Sequence, residues 1–305
     1  MTKRVAVLGS TGHTGGFVIA ELRRRGLTPI PCTRDTDLDH AFQQADAVIN
    51  CAGPFVATAA PAIDAAIRAG LPYLDVTAEI EVVTDTLTAY ADAPVPIVPA
   101  AAFFGGLADL LATATHLPHT EKILIGYALS SWHPTPGTRA TGRVSAQRRD
   151  GRRIAYTGGR LRLLDGDAPH TEWTFPPPIG TRQVIGEFTM ADSATIPTHL
   201  DTPEIATFMT TNAVADLRAS GAFTDHGQSF LVEVVTRSAS GERRAVARGH
   251  DIYAITAPLV VEAATRLLAG HGATPGVASL GARFDPADFL TAIGLDCFDS
   301  SGSPV

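Results

Sequence analysis

Val5-Ala-Val-Leu-Gly9-Ser-Thr-Gly12-His-Thr-Gly15 decides the fold of this 305-residue chain. An apolar run ends in three glycines spaced GxxGxxG, and a helix-like stretch, Gly16 to Arg25, follows at once. The order is strand, tight turn and helix N-terminus, whose unpaired backbone N–H groups and dipole suit a pyrophosphate. In this reading Gly9 permits the turn, Gly12 admits the phosphates and Gly15 lets helix and strand pack closely. Ser10, Thr11, His13 and Thr14 complete the loop. Arg23, Arg24 and Arg25, then Gly26, close the helix with cations at its negative end and a left-handed cap. A strand before and a capped helix after are the context that separates this motif from an ordinary glycine turn.

Outward from the loop, short apolar strands alternate with helices. Strands are expected at Val5–Leu8, Thr28–Thr33, Ala47–Cys51, Tyr73–Val76 and Val95–Val98. Helices are expected at Gly16–Arg25, Asp39–Ala45, Ala60–Ala69, Ile80–Tyr90 and Gly106–His116. Such alternation makes a parallel sheet covered on both faces, with ligands bound outside the carboxyl ends of its strands.

The pattern changes after Pro118. Lys122–Ser130, Gly142–Arg148, Arg152–Thr157, Gln183–Phe188, Phe230–Arg237 and Arg243–Gly249 read as strands. Pro169–Gly180 reads as loop and Thr202–Arg218 as helix, and Pro258–Ala269 is a helix apolar on most faces. The expected architecture is α/β. A Rossmann-type doubly wound parallel sheet is formed by residues 1–117 with 256–305, and an α+β unit, 118–255, is inserted on a largely antiparallel sheet.

Bulk properties narrow the function. Apolar residues make up 45% and charged residues 18%, enough for a sizeable core. A net charge of −7 argues against nucleic acid or an anionic membrane as partner. Cys32, Cys51 and Cys297 are far apart and lack metal-ligand spacing, so neither a metal site nor a disulfide framework is expected. With no signal peptide and no membrane-length apolar run, a cytoplasmic protein is the expectation. A sheet exposed in the second unit would suit a homodimer.

The second strand ends Thr33-Arg34-Asp35, where such folds read the adenosine ribose. An arginine accommodates the 2′-phosphate of NADP, and an acid binds the free 2′-hydroxyl of NAD. Arg34 comes first, which favours NADP; Asp35 keeps NAD open. The third strand runs into Cys51-Ala52-Gly53-Pro54-Phe55, where Gly53 allows close backbone approach and Pro54 fixes the path. Phe55 stands where it can wall a nicotinamide pocket or simply fill the core.

These stretches, with Tyr73-Leu-Asp75-Val-Thr77-Ala-Glu79 and Val98-Pro-Ala-Ala-Ala-Phe103 reaching Asp109, resemble consecutive blocks of the saccharopine dehydrogenase-like oxidoreductases. Pro136-Gly137-Thr138, Ile196-Pro-Thr-His199-Leu and Asp251-Ile-Tyr253-Ala-Ile-Thr256-Ala are similar to the branch that includes trans-acting enoyl reductases. The resemblance implies that the glycine loop and the Cys-Ala-Gly-Pro-Phe turn hold NADP or NAD. It implies oxidation or reduction of C–N bonds, or reduction of C=C bonds. Gly16, Ala78 and the run Ala101-Ala-Phe-Phe-Gly-Gly depart from the family pattern.

Hydride transfer usually needs an acid beside the acceptor. Tyr253, His133, His199 and Glu79 are the candidates, and Asp75, also an acid candidate, is expected among the cofactor-binding residues. Each has an ordinary structural alternative: Asp75 as a turn cap, the histidines and Tyr253 as backbone partners. The expectation is an NADP-dependent oxidoreductase reducing a C=N or conjugated C=C bond of a small molecule, with specialised metabolism as the setting. The rivals are a non-catalytic NAD(P)-binding regulatory protein and an isomerase or lyase that retains NAD.

Overall fold

The computed structural model describes residues 2–219 and 227–299. Strands β1 (Arg4–Leu8), β2 (Thr28–Cys32), β3 (Ala47–Asn50), β4 (Tyr73–Asp75) and β5 (Pro96–Val98) come first. The middle of the chain supplies β6 (Thr120–Leu129), β7 (Arg153–Thr157), β8 (Arg160–Leu164) and β9 (His170–Phe175). It continues with β10 (Gly180–Gly186), β11 (Glu204–Thr210), β12 (Ser229–Ser238) and β13 (Gly241–His250). Two short strands end the chain, β14 (Gly276–Val277) and β15 (Asp296–Asp299).

The first sheet has the order β14-β5-β4-β3-β1-β2, and every pairing in it is parallel. Alternation along β1 shows why both faces are covered. Val5 and Val7 pack with Val18 and Leu22 of the helix His13–Arg24 and with Val260 of the helix Thr256–Leu268. Ala6 and Leu8 pack with Ala62 and Ile63 of the helix Phe55–Ala69 on the other side. The order in which strands are added reverses between β1 and β3, and the cleft opens there.

The second sheet runs β15-β13-β12-β6-β11-β10-β9, with the β7–β8 hairpin attached to β11. It is mixed, because β6 and β11 pair in parallel while its other pairs are antiparallel. Ile125, Tyr127, Val232 and Val234 on one face join the same core as β1. On the other face Ala128, Leu231 and Val246 meet Trp173 and Phe175, because β9 folds back over β6. A Cβ on Gly126 would lie 2.8 Å from the Trp173 ring. That sheet face is therefore covered by its own chain.

Several segments differ from the sequence expectation. Gly142–Arg148 is the end of a helix, Pro136–Arg148, rather than a strand. Thr135 caps it by accepting from Thr138 N–H at 3.1 Å, and Pro136 takes the first position, where no N–H is needed. Thr202–Arg218 splits into β11 and a helix, Thr211–Arg218, because Ile205, Thr207 and Met209 alternate inward with period two. Pro169–Gly180 holds β9, and only the proline-rich turn after it is loop. The helix expected at Gly106–His116 is confined to Ala108–Ala114, after a break at Gly105, whose φ is +95°. β15 lies on the second sheet although residues 256–305 were expected with the first.

Candidate active site

A cleft of about 1630 Å³ lies at the carboxyl ends of the first sheet's strands, walled on its far side by the second unit. Its floor is the glycine loop. Gly9 has φ +69°, and a Cβ there would sit 2.7 Å from Cys51 O. A Cβ on Gly15 would fall 2.1 Å from Gly9 O, so both positions are dictated by the fold. Gly12 differs: its Cβ would meet only Gly9 O, at 3.1 Å, within the cleft lining. The helix beginning at His13 has no side-chain cap and no acid in its first turn, so its N–H groups remain open to an anion.

Thr11, His13 and Thr14 line the cleft with Gly12. Ser10 does not: its hydroxyl donates to Cys32 O at 3.1 Å and ties the loop to β2. Thr33 and Arg34 line the cleft whereas Asp35 lies outside it. The Arg34 side chain is exposed and makes no ion pair among the described residues.

A second helix N-terminus faces the same cleft and is already filled. Glu79, buried, accepts from Phe55 N–H at 2.7 Å and Val56 N–H at 3.1 Å. Burial pushes its carboxyl up, against the pull of those N–H groups and of the Thr141 hydroxyl. Thr141 also lies so near Gly53 that a Cβ there would be 2.7 Å from its oxygen. Buried Asn50 shapes the turn, donating to Tyr73 Oη at 3.1 Å and accepting from Ala52 N–H at 2.9 Å. Cys51, Ala52, Gly53, Pro54 and Phe55 all line the cleft, and Phe55 also belongs to the core beside Phe42.

Asp75 lies beneath this layer rather than in the cleft. It accepts from Ala100 N–H at 2.9 Å, Thr77 N–H at 3.1 Å and Tyr73 Oη at 3.2 Å. Burial pushes it up to about 6.

Tyr253 closes the cleft from the second unit, its ring 5.3 Å from that of His13. Its oxygen accepts from Trp132 Nε1 and Thr135 N–H, each at 3.3 Å, and meets Thr138 Oγ1 at 2.9 Å. In the contact with Thr138 either oxygen can be the donor. His133 is half-buried in the adjoining loop and does not line the cleft.

His199 is also outside the cleft, in a contact between the units. Its Nε2 lies 2.9 Å from Thr113 Oγ1 and 3.6 Å from Asp109 Oδ1. Burial pushes the imidazole down to about 4, so it is neutral at pH 7. Asp109 accepts from Gly281 N–H at 2.7 Å, and burial pushes it up to about 7 from 3.8. The folded chain therefore holds this proton where the unfolded chain has released it, and stability from this group falls as pH rises from about 4 to about 7. Relative to the native protein, Asp109→Asn should gain stability steadily over that window and level off above it. Urea midpoints measured from pH 4 to 8 check this, and a constant gap would refute it.

Sequence reading missed the helix Pro136–Arg148, which lies along the cleft through Thr138, Thr141 and Ser145. Ser145 Oγ donates to Glu81 at 2.7 Å, Arg149 pairs with Glu81 at 2.9 Å, and Arg148 pairs with Asp85 at 2.7 Å. Thr135-Pro136, a cap followed by a first-position proline, was the available signal. It also missed the apolar part of the wall, Phe104, Trp132 and Phe188. No group of three or more metal-ligating side chains is placed to hold an ion among the described residues. Nor is any helix among them long and apolar enough to cross a membrane.

No family model matches the chain, and no curated protein matches it. Among solved structures it is similar to apo saccharopine dehydrogenase (L-Glu forming) from Saccharomyces cerevisiae. That match has 10% identity and a TM-score of 0.59, over 98% of this chain and 99% of the other. Diaminopimelate (DAP) dehydrogenase of C. glutamicum aligns over 92% of this chain and 93% of its own, at 12% identity and a TM-score of 0.48. An engineered D-amino acid dehydrogenase bound to NADP+ has the same coverages and identity with a TM-score of 0.46. The last two overlap too loosely to weigh. The first shares the fold: a parallel, Rossmann-like sheet joined to a mixed second sheet.

Proposed function

We propose that this chain is an NADP-dependent oxidoreductase that reduces a C=N or conjugated C=C bond of a small molecule. One observation carries the reading. Of two helix N-termini at the cleft, one is neutralised by Glu79, while the other, at Gly12, is left without a cap or an acid. A pyrophosphate fits there, and Arg34 stands at the corner where such folds read the ribose, with no carboxylate partner among the described residues. A bound nicotinamide supplies a hydride to the acceptor carbon, and a proton completes the other atom of the reduced bond.

The chain's own residues divide the remaining work. The first-turn N–H groups hold the phosphates, and the Asn50-braced turn from Cys51 to Phe55 fixes one wall. The helix Pro136–Arg148 excludes water from above. Tyr253, which lines the cleft and shares a hydrogen bond with Thr138 Oγ1, holds a proton at its hydroxyl for this step.

The test is cofactor selectivity. Native protein should bind NADPH in preference to NADH by calorimetry. Arg34→Ala should weaken NADPH by about 1.5–3 kcal/mol, as for a hydrogen-bonded charged pair, and leave NADH nearly unchanged. A preference for NADH would remove the NADP assignment. Binding of NADPH with no oxidation by any imine or enone would remove the enzymatic one.

A further inference from the structure

The apolar side of the cleft says what kind of molecule is reduced there. Phe104 and Trp132 have ring centroids 5.5 Å apart, and Trp132 and Phe188 6.5 Å apart, so three aromatic rings form one surface. Ile185, Met190 and Leu217 continue it within the cleft. The surface begins one side chain from the glycine loop, because Tyr253 touches both His13 and Trp132. Phe104 is held there from across the units: Gly105 N–H donates to buried Asp192 at 2.8 Å and Thr195 Oγ1 donates to Gly105 O at 2.8 Å. Arginines also line the cleft: Arg149, Arg152 and Arg153 pair with Glu81, Asp150 and Glu187, and Arg34, Arg139, Arg143 and Arg218 stand in its wall as well.

We propose that the substrate carries its reducible bond on an apolar ring or chain whose body lies on Phe104, Trp132 and Phe188. Phe104 and Trp132 are largely covered by the core already, at 8% and 3% exposed, so such a body gains from leaving water chiefly against the half-buried Phe188 and the ring edges beside it. This inference rests on the cofactor reading above.

The experiment uses the full chain with saturating NADP+, a dead-end complex, and calorimetry with two matched pairs of neutral probes. One pair is 2-methyl-1-pyrroline and 2-phenyl-1-pyrroline; the other is (E)-pent-3-en-2-one and (E)-4-phenylbut-3-en-2-one. In at least one pair the phenyl member should bind at least about tenfold more tightly. It should also change Trp132 emission, since Trp173 lies on the opposite face of the second sheet. Phe188→Ala should shrink that preference without changing NADPH affinity; Phe188→Tyr serves if the alanine variant fails to fold, since it keeps a ring but places a hydroxyl against the phenyl group. Equal affinities within both pairs, or no binding of either phenyl probe while NADPH binds, overturns the proposal. Loss of NADPH binding with the phenyl preference kept overturns the cofactor reading and leaves the apolar site standing.

Discussion

Gly12→Val is expected to abolish NADPH binding, by at least about a hundredfold, in a protein that still folds. Gly12 has φ −76° and ψ 166°, a conformation valine adopts without strain. A Cβ there meets one backbone oxygen at 3.1 Å, so the loop must give by only a few tenths of an ångström. Gly12 lines the cleft at the helix N-terminus, so a branched side chain there should take the space proposed for the phosphates. Calorimetry should show no NADPH binding while circular dichroism and the melting temperature stay near native. Gly15→Ala is the contrast: its Cβ would fall 2.1 Å from Gly9 O, so that variant should lose the loop itself. Normal NADPH affinity in Gly12→Val would mean that this loop holds no phosphate.

Glu79→Ala should be the most damaging single change among the acidic residues of the cleft. It removes a buried carboxylate that accepts from two first-turn N–H groups and from Thr141. Leaving those donors unpaired costs about 3 kcal/mol, judged from charged hydrogen bonds and lost caps. The Gly53–Pro54 turn and the helix Pro136–Arg148 should loosen with it. Glu79→Gln retains one acceptor oxygen and should lose about half as much. Urea unfolding separates this from a proton-transfer role: full stability with lost turnover in both variants would assign Glu79 to chemistry instead.

The strand, loop and helix around Gly9 were legible because their signals are local, and so was the parallel sheet with its apolar alternation. The Thr33–Asp35 corner and the Cys51–Phe55 turn were legible as places, since strand ends in such sheets converge on one cleft. What stayed hidden depends on partners far along the chain. Glu79 caps a helix that begins 24 positions earlier, and Gly105 is bound by Asp192, 87 positions away. Neither spacing leaves a periodic trace. His199 looked like a site residue because it ends a segment, yet that end packs between the units against Thr113 and Asp109. The polar face of the helix Pro136–Arg148 was hidden by composition, since only Ser145 along it is buried and no apolar stripe marks it.

β15 gives the molecule a mechanical character of its own. The chain passes from the first sheet to the second at β6, returns through the helix Thr256–Leu268 and β14, and crosses again to pair β15 with β13. Jaw-like opening about a hinge relies on a few residues that absorb the whole rotation. Here three crossings and one continuous core, from Val5 and Val7 to Val232 and Val234, stitch the halves together. Such stitching leaves the two halves no single hinge about which to swing. Over the cleft the same stitching is repeated in miniature: the helix Pro136–Arg148 lies on it through small polar side chains, fastened to the first unit by Glu79, Glu81 and Asp85.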